Sequence, residues 1–411
     1  MKRGTLFILA TVAIDMLGLG LIVPVLPQLL LKLTGGNEVR TAAIFGVFGS
    51  TFALMQFLCS PLLGILSDRF GRRPVIVLSN LGLAFDYILM ALSPTVGWLF
   101  AGRIISGITS ANITTANAYV ADVAEPEQRA SAFGLLGVAG GLGFIAGPAI
   151  GGLLGSMSPR LPFWFAAALS LANAIYGFTV LPESLPRERR CAVAWHSTNP
   201  LGSLQLLRSH SELFGFGLVA FLNALAGVVL PSIYVLYVTN RYGWNPRGIG
   251  LSLMLLGFCT ALAQVVLVKP AVHLLGERGT VMVGLLSGAL GMAVFGLAER
   301  GTSFLFGIPL LAIWGFAPAV AQSIMTRQVS AAEQGQLQGA LGSIASGASL
   351  LGPAFFTMVY AQTLHKVSAL NLIGMAWLCA MVLLLGAASL MLRIAKDCDF
   401  NRGEIQVEEV L

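Results

Sequence analysis

Three ionisable residues lie deep inside long apolar stretches of the sequence. Asp15 and Asp86 each stand about ten residues into such a stretch, and Arg103 stands about six residues into another. Because a buried carboxylate loses the hydration that stabilises its charge, it must either pair with a cation or take up a proton. One interpretation is that Asp15 gains and loses a proton, with Asp86 and Arg103 completing an ionic network. The alternative is a static buried ion pair that orients the helices.

The stretches that hold these residues have the length and composition of membrane spans. The chain has 411 residues, of which 56% are hydrophobic and 10% charged, whereas a soluble domain carries roughly 25% charged residues. Apolar stretches of this length cross about 30 Å of hydrocarbon as helices. We therefore expect an all-α membrane protein with about twelve transmembrane helices. They are predicted at roughly 5–30, 42–66, 75–94, 97–121, 130–156, 161–182, 213–239, 246–268, 280–298, 302–325, 336–361 and 367–394.

The distribution of charge predicts the orientation and excludes several functions. With the N-terminus inside, most of the 24 lysines and arginines fall on the cytoplasmic side, as the positive-inside rule requires. We therefore expect a multi-pass membrane protein with both termini cytoplasmic, and the net charge of +6 needs no nucleic acid. The five cysteines and four histidines form no metal-type spacing. Without a phosphate-binding loop or an enzymatic motif, we expect no cofactor and a monomer whose partners are lipid and a small molecule.

The sequence repeats itself with an offset of about 205 residues. Glu127-Gln128 leads into a glycine-rich span that contains Gly147-Pro148, and Glu333-Gln334 leads into another that contains Gly352-Pro353. Because each half has six spans, an even number, both halves enter the membrane in the same sense. The repeat is therefore parallel, of the kind that alternates access by rocking one half against the other. The predicted division is a six-helix half at 1–182, a cytoplasmic loop at 183–212, a second six-helix half at 213–395 and a cytoplasmic tail at 396–411.

Glycines at a spacing of four form a stripe on the fifth span, and a similar stripe of small residues runs along the eleventh. Such stripes let two helix backbones approach closely. The first stripe consists of Gly143, Gly147, Gly151 and Gly155, and the second of Gly335, Gly339, Ser343 and Gly347.

The loop between spans two and three has the most specific pattern, GILSDRFGRR at 64–73. Topology alone explains its arginines but not its glycines or its aspartate. We expect Gly64 to permit a close helix contact, Gly71 a tight turn, and Arg72 a pair with Asp122 at the end of span four. The counterpart in the second half, residues 275–278, retains little of the pattern. The residues of interest are Gly64, Asp68, Arg69, Gly71, Arg72, Arg73 and Asp122.

The segment 64–73 resembles the signature of the major facilitator superfamily. By this resemblance, the loop latches the cytoplasmic side of the outward-facing state. The segment 143–152, GFIAGPAIGG, looks like the antiporter motif of drug-exporting members, and Arg103 fits a motif that the family associates with proton coupling. The antiporter motif comprises Gly143, Gly147, Pro148, Gly151 and Gly152.

Over most of its length the chain resembles the tetracycline:proton antiporters of Gram-negative bacteria. The segments that show this resemblance include 15–27, 67–74, 118–122, 181–184 and 334–339. That family's pattern has an acid in span nine and a histidine in span eight, where this chain has Gly288 and Thr260. The family's acid takes part in recognition of metal-bound tetracycline and in proton exchange, so its replacement implies an altered specificity.

These observations predict proton-coupled export of a small amphipathic compound or drug. A metabolite facilitator or symporter on the same fold is the alternative, and a transport-incompetent receptor is a third possibility. We expect the substrate to meet a cavity at the interface of the halves. Neutral polar residues inside the spans are the candidates for its wall: Gln56, Asn112, Thr115, Asn173, Asn223, Gln264, Gln322 and Ser323.

Overall fold

The computed structural model describes residues 3–110, 112–124, 128–186, 190, 211–330, 333–365 and 372–408. Within these residues the chain is helical and contains no strand, because a backbone in lipid must satisfy its hydrogen bonds internally. Eight helices precede the central loop: α1 Arg3–Ile22, α2 Leu26–Leu33, α3 Glu38–Phe70, α4 Arg72–Leu92, α5 Val96–Thr109, α6 Asn112–Val123, α7 Arg129–Met157 and α8 Leu161–Thr179. Nine described helices follow it: α9 Ser211–Gly227, α10 Val229–Tyr242, α11 Pro246–Val266, α12 Val268–Leu297, α13 Gly301–Leu305, α14 Gly307–Trp314, α15 Phe316–Arg327, α16 Gln334–His365 and α17 Met375–Glu408.

Eleven helical stretches of the described chain are long and apolar enough to cross a membrane. Eleven of the twelve predicted spans coincide with them. The remaining prediction, 97–121, corresponds to α5 and α6. These two helices lie on either side of residue 111, which is not among the described residues. Most of the central loop, 187–189 and 191–210, and the segment 366–371 also lie outside them.

Two predicted spans of the second half are broken before prolines, 213–239 into two helices and 302–325 into three, and a similar break separates α11 from α12. In the second part of the chain, the breaks after α9, α11, α13 and α14 each fall three residues before a proline. Proline has no backbone N–H, and its ring clashes with the carbonyl four residues earlier. The helix therefore bends in the turn that precedes the ring. The breaks lie at Val228, Leu267, Phe306 and Gly315, and the prolines at Pro231, Pro270, Pro309 and Pro318.

The described residues fall into two compact units. One comprises the first part of the chain to Thr198 together with Pro231–Gly257, and the other comprises Asn199–Leu230 and the remainder from Phe258. The segment Pro231–Gly257 packs on α7, where a Cβ atom at Gly152 would collide with the carbonyl of Pro246. Two helices of the second sequence half thus contribute to the first unit.

In the first unit, α1 packs on α7 and α8, and α4 packs on α5 and α8. Its core includes Leu21, Phe48, Leu83, Tyr87 and Phe163. In the second unit, α12 packs on α14, α15 and α17, and α9 packs on α16 and α17. This arrangement places α1, α4, α5 and α8 together, and the first three of these helices carry the buried charges Asp15, Asp86 and Arg103.

Candidate functional site

Asp86 and Arg103 form a buried ion pair. Arg103 Nη2 donates to Asp86 Oδ2 at 2.9 Å, and the side chains are 9% and 0% exposed, respectively. Gly102 makes room for the carboxylate, since a Cβ atom there would lie 2.5 Å from Asp86 Oδ1. Neither Asp86 Oδ1 nor Arg103 Nε has a hydrogen-bond partner among the described residues. The pair therefore retains an unused acceptor and an unused donor in a buried environment.

Asp15 lies in a separate polar site, on α1. The residue is 3% exposed, and its Oδ1 accepts a hydrogen bond from Asn173 Nδ2 at 2.8 Å. The same amide donates to the carbonyl of Thr11 at 3.1 Å, which ties α8 to α1. The sequence left open which aspartate Arg103 would reach; the structure joins Arg103 to Asp86 and an amide to Asp15. Asn173, predicted for the substrate cavity, is fully buried in this Asp15 site.

The glycines of α7 hold the helix that carries Asp15. A Cβ atom at Gly143 or Gly151 would collide with a carbonyl of α1, that of Ala13 or Leu21, and one at Gly147 would lie 2.6 Å from Gly20 Cα. The two backbones are thus in direct contact over two turns, and Pro148 lies inside α7. The stripe on α16 differs, since a Cβ atom at Gly335 or Gly347 would meet nothing within 4 Å.

The loop between α3 and α4 forms an ion-pair network. Gly71 has a φ of 105°, so the predicted tight turn is present, and Arg72 Nε donates to Asp122 Oδ2 at 3.1 Å. Asp68 also pairs with Arg72. Arg73 donates to the carbonyls of Gly177 and Phe178 on α8. The loop therefore ties α4 to α6 and α8.

Other residues of this loop behave differently from expectation. Among the described residues, no atom lies within 4 Å of a Cβ placed at Gly64, so this part of the structure shows no close helix contact there. Arg69 lies over the ring of Phe70 at 5.3 Å. Sequence reasoning missed Glu183, which accepts from the backbone N–H of Arg72 at 2.9 Å, and Ser184, which donates to Asp122 at 3.0 Å. Both belong to the segment 181–184 that carries the family resemblance.

The second half has a counterpart of this network with its charges exchanged. Gly276 has a φ of 69° and interrupts α12, and Glu277 pairs with Arg327 at the end of α15. These positions stand 205 residues after Gly71, Arg72 and Asp122. This half retains little of the sequence pattern, but it keeps the turn and an ion pair between the same two positions. The letters differ because the acid and the base have changed places.

The neutral polar residues predicted for the cavity wall do not converge on one place. Asn223 and Gln322 line a cavity of about 230 Å³ within the second unit, between α9, α12, α15 and α16. Ser323 lines a different cavity, of about 430 Å³, beside Lys269 and His273. The rest lie elsewhere: Gln56 donates to Ser110, Thr115 is buried, Gln264 is exposed, and the side chain of Asn112 lies outside the described residues.

The first of these cavities is mostly apolar. Ala220, Leu285, Pro318 and Met325 are among its lining residues, and none of the described lining residues is charged. Its polar groups are two amides. Such a chamber suits an apolar ligand that carries a few hydrogen-bonding groups.

Comparisons with known proteins identify the family. The model of the Major Facilitator Superfamily matches residues 8–353. The class C tetracycline resistance protein of Escherichia coli is 40% identical over 377 residues, which cover 92% of this chain and 93% of that protein. The class D protein of Salmonella ordonez is 35% identical over 96% of this chain and 98% of its own length.

Solved structures agree on the fold. The human organic anion transporter MFSD10 (TETRAN) superposes with a TM-score of 0.69 at 25% identity and covers 95% of this chain and 99% of its own. The nucleoside transporter NupG superposes with a TM-score of 0.75 at 14% identity over 96% of this chain and 100% of its own. This chain is therefore a multi-pass member of the Major Facilitator Superfamily, and within it belongs to the family of the tetracycline resistance proteins.

Proposed function

We propose that this protein exports a small amphipathic compound or drug in exchange for protons. The observation that carries the proposal is the environment of Asp15. Its carboxylate is buried in the first span and bonded to an amide, while the nearby buried cation, Arg103, is bound to Asp86. A carboxylate buried in a membrane span is costly while it is ionised, so a proton can neutralise it. The names of the relatives, tetracycline resistance proteins, agree with drug export.

The positions of the buried charges assign proton exchange to the first half of the chain and substrate contact to the second. In the described second half no Asp or Glu lies in the middle of a span, since Glu277 directly follows the break in α12 at Gly276, and Glu299 and Glu333 lie between helices. Proton exchange thus belongs to Asp15, Asp86 and Arg103, and substrate contact to the neutral second half. Backbone contact of α1 with α7 would transmit the protonation of Asp15 to the helix that carries the antiporter motif.

The remaining parts of the proposal concern assembly and energy. The protein works as a monomer in the inner membrane with both termini in the cytoplasm, and the proton is its coupling ion.

Loop 64–73 with Asp122 latches the cytoplasmic ends of α3, α4 and α6, because Arg72 binds carboxylates on two of these elements. Binding of substrate shifts the balance between two states only by its difference in affinity for them.

The test is transport by the full chain in proteoliposomes with an imposed pH gradient. We expect Asp15→Asn to bind substrate and let it flow downhill but to lose accumulation against a gradient. Accumulation by the parent should scale with the gradient, by about tenfold for each pH unit if one proton exchanges per neutral substrate.

Two controls make this assay decisive. Asp15→Glu keeps the ionisable group and should retain coupling, and Asp68→Asn removes an acid that is half exposed in the loop and should leave the coupling ratio unchanged. Uphill transport by Asp15→Asn at the parental level would refute the assignment of Asp15. Accumulation that does not respond to pH in the parent would refute antiport itself.

A further inference from the structure

Gly288 occupies the position at which the pattern of the tetracycline:proton antiporters has an acid, and the structure shows what fills that place. A Cβ atom at Gly288 would lie 2.6 Å from Cγ and 2.7 Å from Cδ1 of Trp314, and 3.1 Å from Leu384 Cδ1. Cγ is the root of a rigid indole and cannot swing aside as the end of a flexible chain can. A carboxylate at 288 therefore requires Trp314 to leave its position.

Trp314 is held at its other end too. Its Cη2 lies 3.3 Å from the Cβ position of Gly227 on α9. The ring is thus clamped between two glycines, Gly288 at the five-membered ring and Gly227 at the six-membered ring. A side chain at either glycine would displace the indole, so the three residues act as one packing unit.

The indole also determines the hydrogen bonding of the cavity in the second unit. Trp314 Nε1 donates to Asn223 Oδ1 at 2.7 Å, which leaves the NH₂ group of Asn223 as the donor that this side chain offers to the cavity. Gln322 donates its own NH₂ group to Gln338 Oε1 at 3.1 Å. It therefore offers its carbonyl oxygen as an acceptor.

The cavity consequently offers the NH₂ group of Asn223 and the carbonyl oxygen and second N–H of Gln322 on apolar walls, and no charged side chain among its described lining residues. A chelated divalent cation would lose its hydration there without meeting a carboxylate, which is costly in an apolar environment. An uncharged ligand with a carbonyl group and an N–H or O–H group would satisfy both amides.

We propose that this cavity binds the exported compound as an uncharged, metal-free molecule, and that Trp314 determines this specificity by filling the place of the missing acid. The proposal rests on the proposed function, in that it names the chemical class of the exported compound. It differs from recognition of a metal-bound drug, which needs the acid.

Equilibrium binding to the purified full chain tests the proposal without a pH gradient. The probes are tetracycline, with millimolar Mg²⁺ or with EDTA, and chloramphenicol, an uncharged aromatic amide. We expect chloramphenicol to bind with a Kd that changes by less than about twofold between the two conditions, and tetracycline to gain nothing from Mg²⁺. Tetracycline that binds at least about tenfold more tightly with Mg²⁺, or chloramphenicol that does not bind, would overturn the proposal.

Variants separate the role of Trp314 from general damage. Gly288→Asp alone should lower the affinity for chloramphenicol at least about tenfold, or the variant protein should be present in membranes at a lower level than the parent, because the acid displaces the indole. The double variant Gly288→Asp with Trp314→Gly should reach the protein level of the parent in membranes. It should bind tetracycline at least about tenfold more tightly with Mg²⁺ than with EDTA. The matched control is Gly335→Asp, at a glycine with open space around it, which should behave like the parent.

Each failure has its own signature. If Gly288→Asp reaches the protein level of the parent and binds chloramphenicol with the same affinity, Trp314 does not fill that place and the proposal is wrong. A parent that binds chloramphenicol without Mg²⁺ but does not export in response to a pH gradient would support this proposal and refute the proposed function.

Discussion

Removal of one partner of the Asp86–Arg103 pair should destabilise the protein far more than removal of both. The charged atoms are 2.9 Å apart, and the two side chains are almost completely buried. Two unit charges about 4 Å apart attract each other by about 4 kcal/mol at an effective dielectric constant of about 20. Loss of one member of a buried pair costs about 3–5 kcal/mol, because the other charge stays buried without compensation.

The perturbation is Arg103→Met, which keeps an unbranched side chain and removes its charge, combined with Asp86→Asn. We expect Arg103→Met to cost about 3–5 kcal/mol, whereas the double variant should lie within about 1–2 kcal/mol of the parent, since replacement of a whole buried pair is often neutral. The second substitution should therefore recover about 2–3 kcal/mol of the stability that Arg103→Met loses.

The assay is thermal unfolding of the purified full chain, followed by intrinsic tryptophan fluorescence. At about 2–4 °C per kcal/mol for a domain of about 150–250 residues, Arg103→Met should lower Tm by roughly 10 °C and the double variant by only a few degrees. Arg40→Met, at an exposed arginine, is the control and should change stability by less than about 0.5 kcal/mol. Equal losses of Tm in Arg103→Met and in the double variant would refute the reasoning, because the carboxylate that Arg103→Met leaves unpaired would then have no cost of its own.

Three further outcomes follow from the contacts described above. Gly147→Leu should abolish accumulation of the folded protein, since the new side chain must separate α7 from α1 at a cost of about 3 kcal/mol or more, whereas Gly137→Leu, at a glycine with open space, should accumulate normally on immunoblots of membranes. Glu277→Arg and Arg327→Glu should each slow export by up to about fivefold, the equivalent of an exposed pair of about 1 kcal/mol, and the double exchange should restore the rate; a double variant as slow as the singles would contradict the second ion pair. Asn173→Leu should leave the buried carboxylate of α1 without its amide donor and cost about 1–3 kcal/mol, measured as Tm, and an unchanged Tm would show that this bond is dispensable.

Much of this architecture was predictable from the sequence because it depends on local composition. Apolar stretches long enough to cross a bilayer define the spans, and a charge inside a span stands out against them. The tight turn at Gly71 and its pair between Arg72 and Asp122 were also predictable. Both follow from residue type and from the position of each residue at a cytoplasmic helix end.

The internal repeat illustrates where sequence comparison alone fails. Residues 275–278 retain few letters of the loop at 64–73, yet the structure conserves the glycine turn and an ion pair between the same two positions. Exchange of an acid and a base leaves their attraction unchanged, because the Coulomb energy depends only on the product of the charges. Comparison of letters counts the exchange as two differences.

The sequence by itself determined which residues are buried in the membrane, and only the tertiary structure decided which of them are partners. Asp15 and Asp86 were equivalent candidates for Arg103 in sequence, but the packing of α4 on α5 directs the guanidinium to Asp86 and the packing of α8 on α1 brings Asn173 to Asp15. Likewise, the sequence showed that an acid was replaced at Gly288, but not that Trp314 fills its place. The physical reason is that hydropathy fixes the depth of a side chain in the membrane, whereas rotation and contact of helices, set by close packing, fix its neighbours.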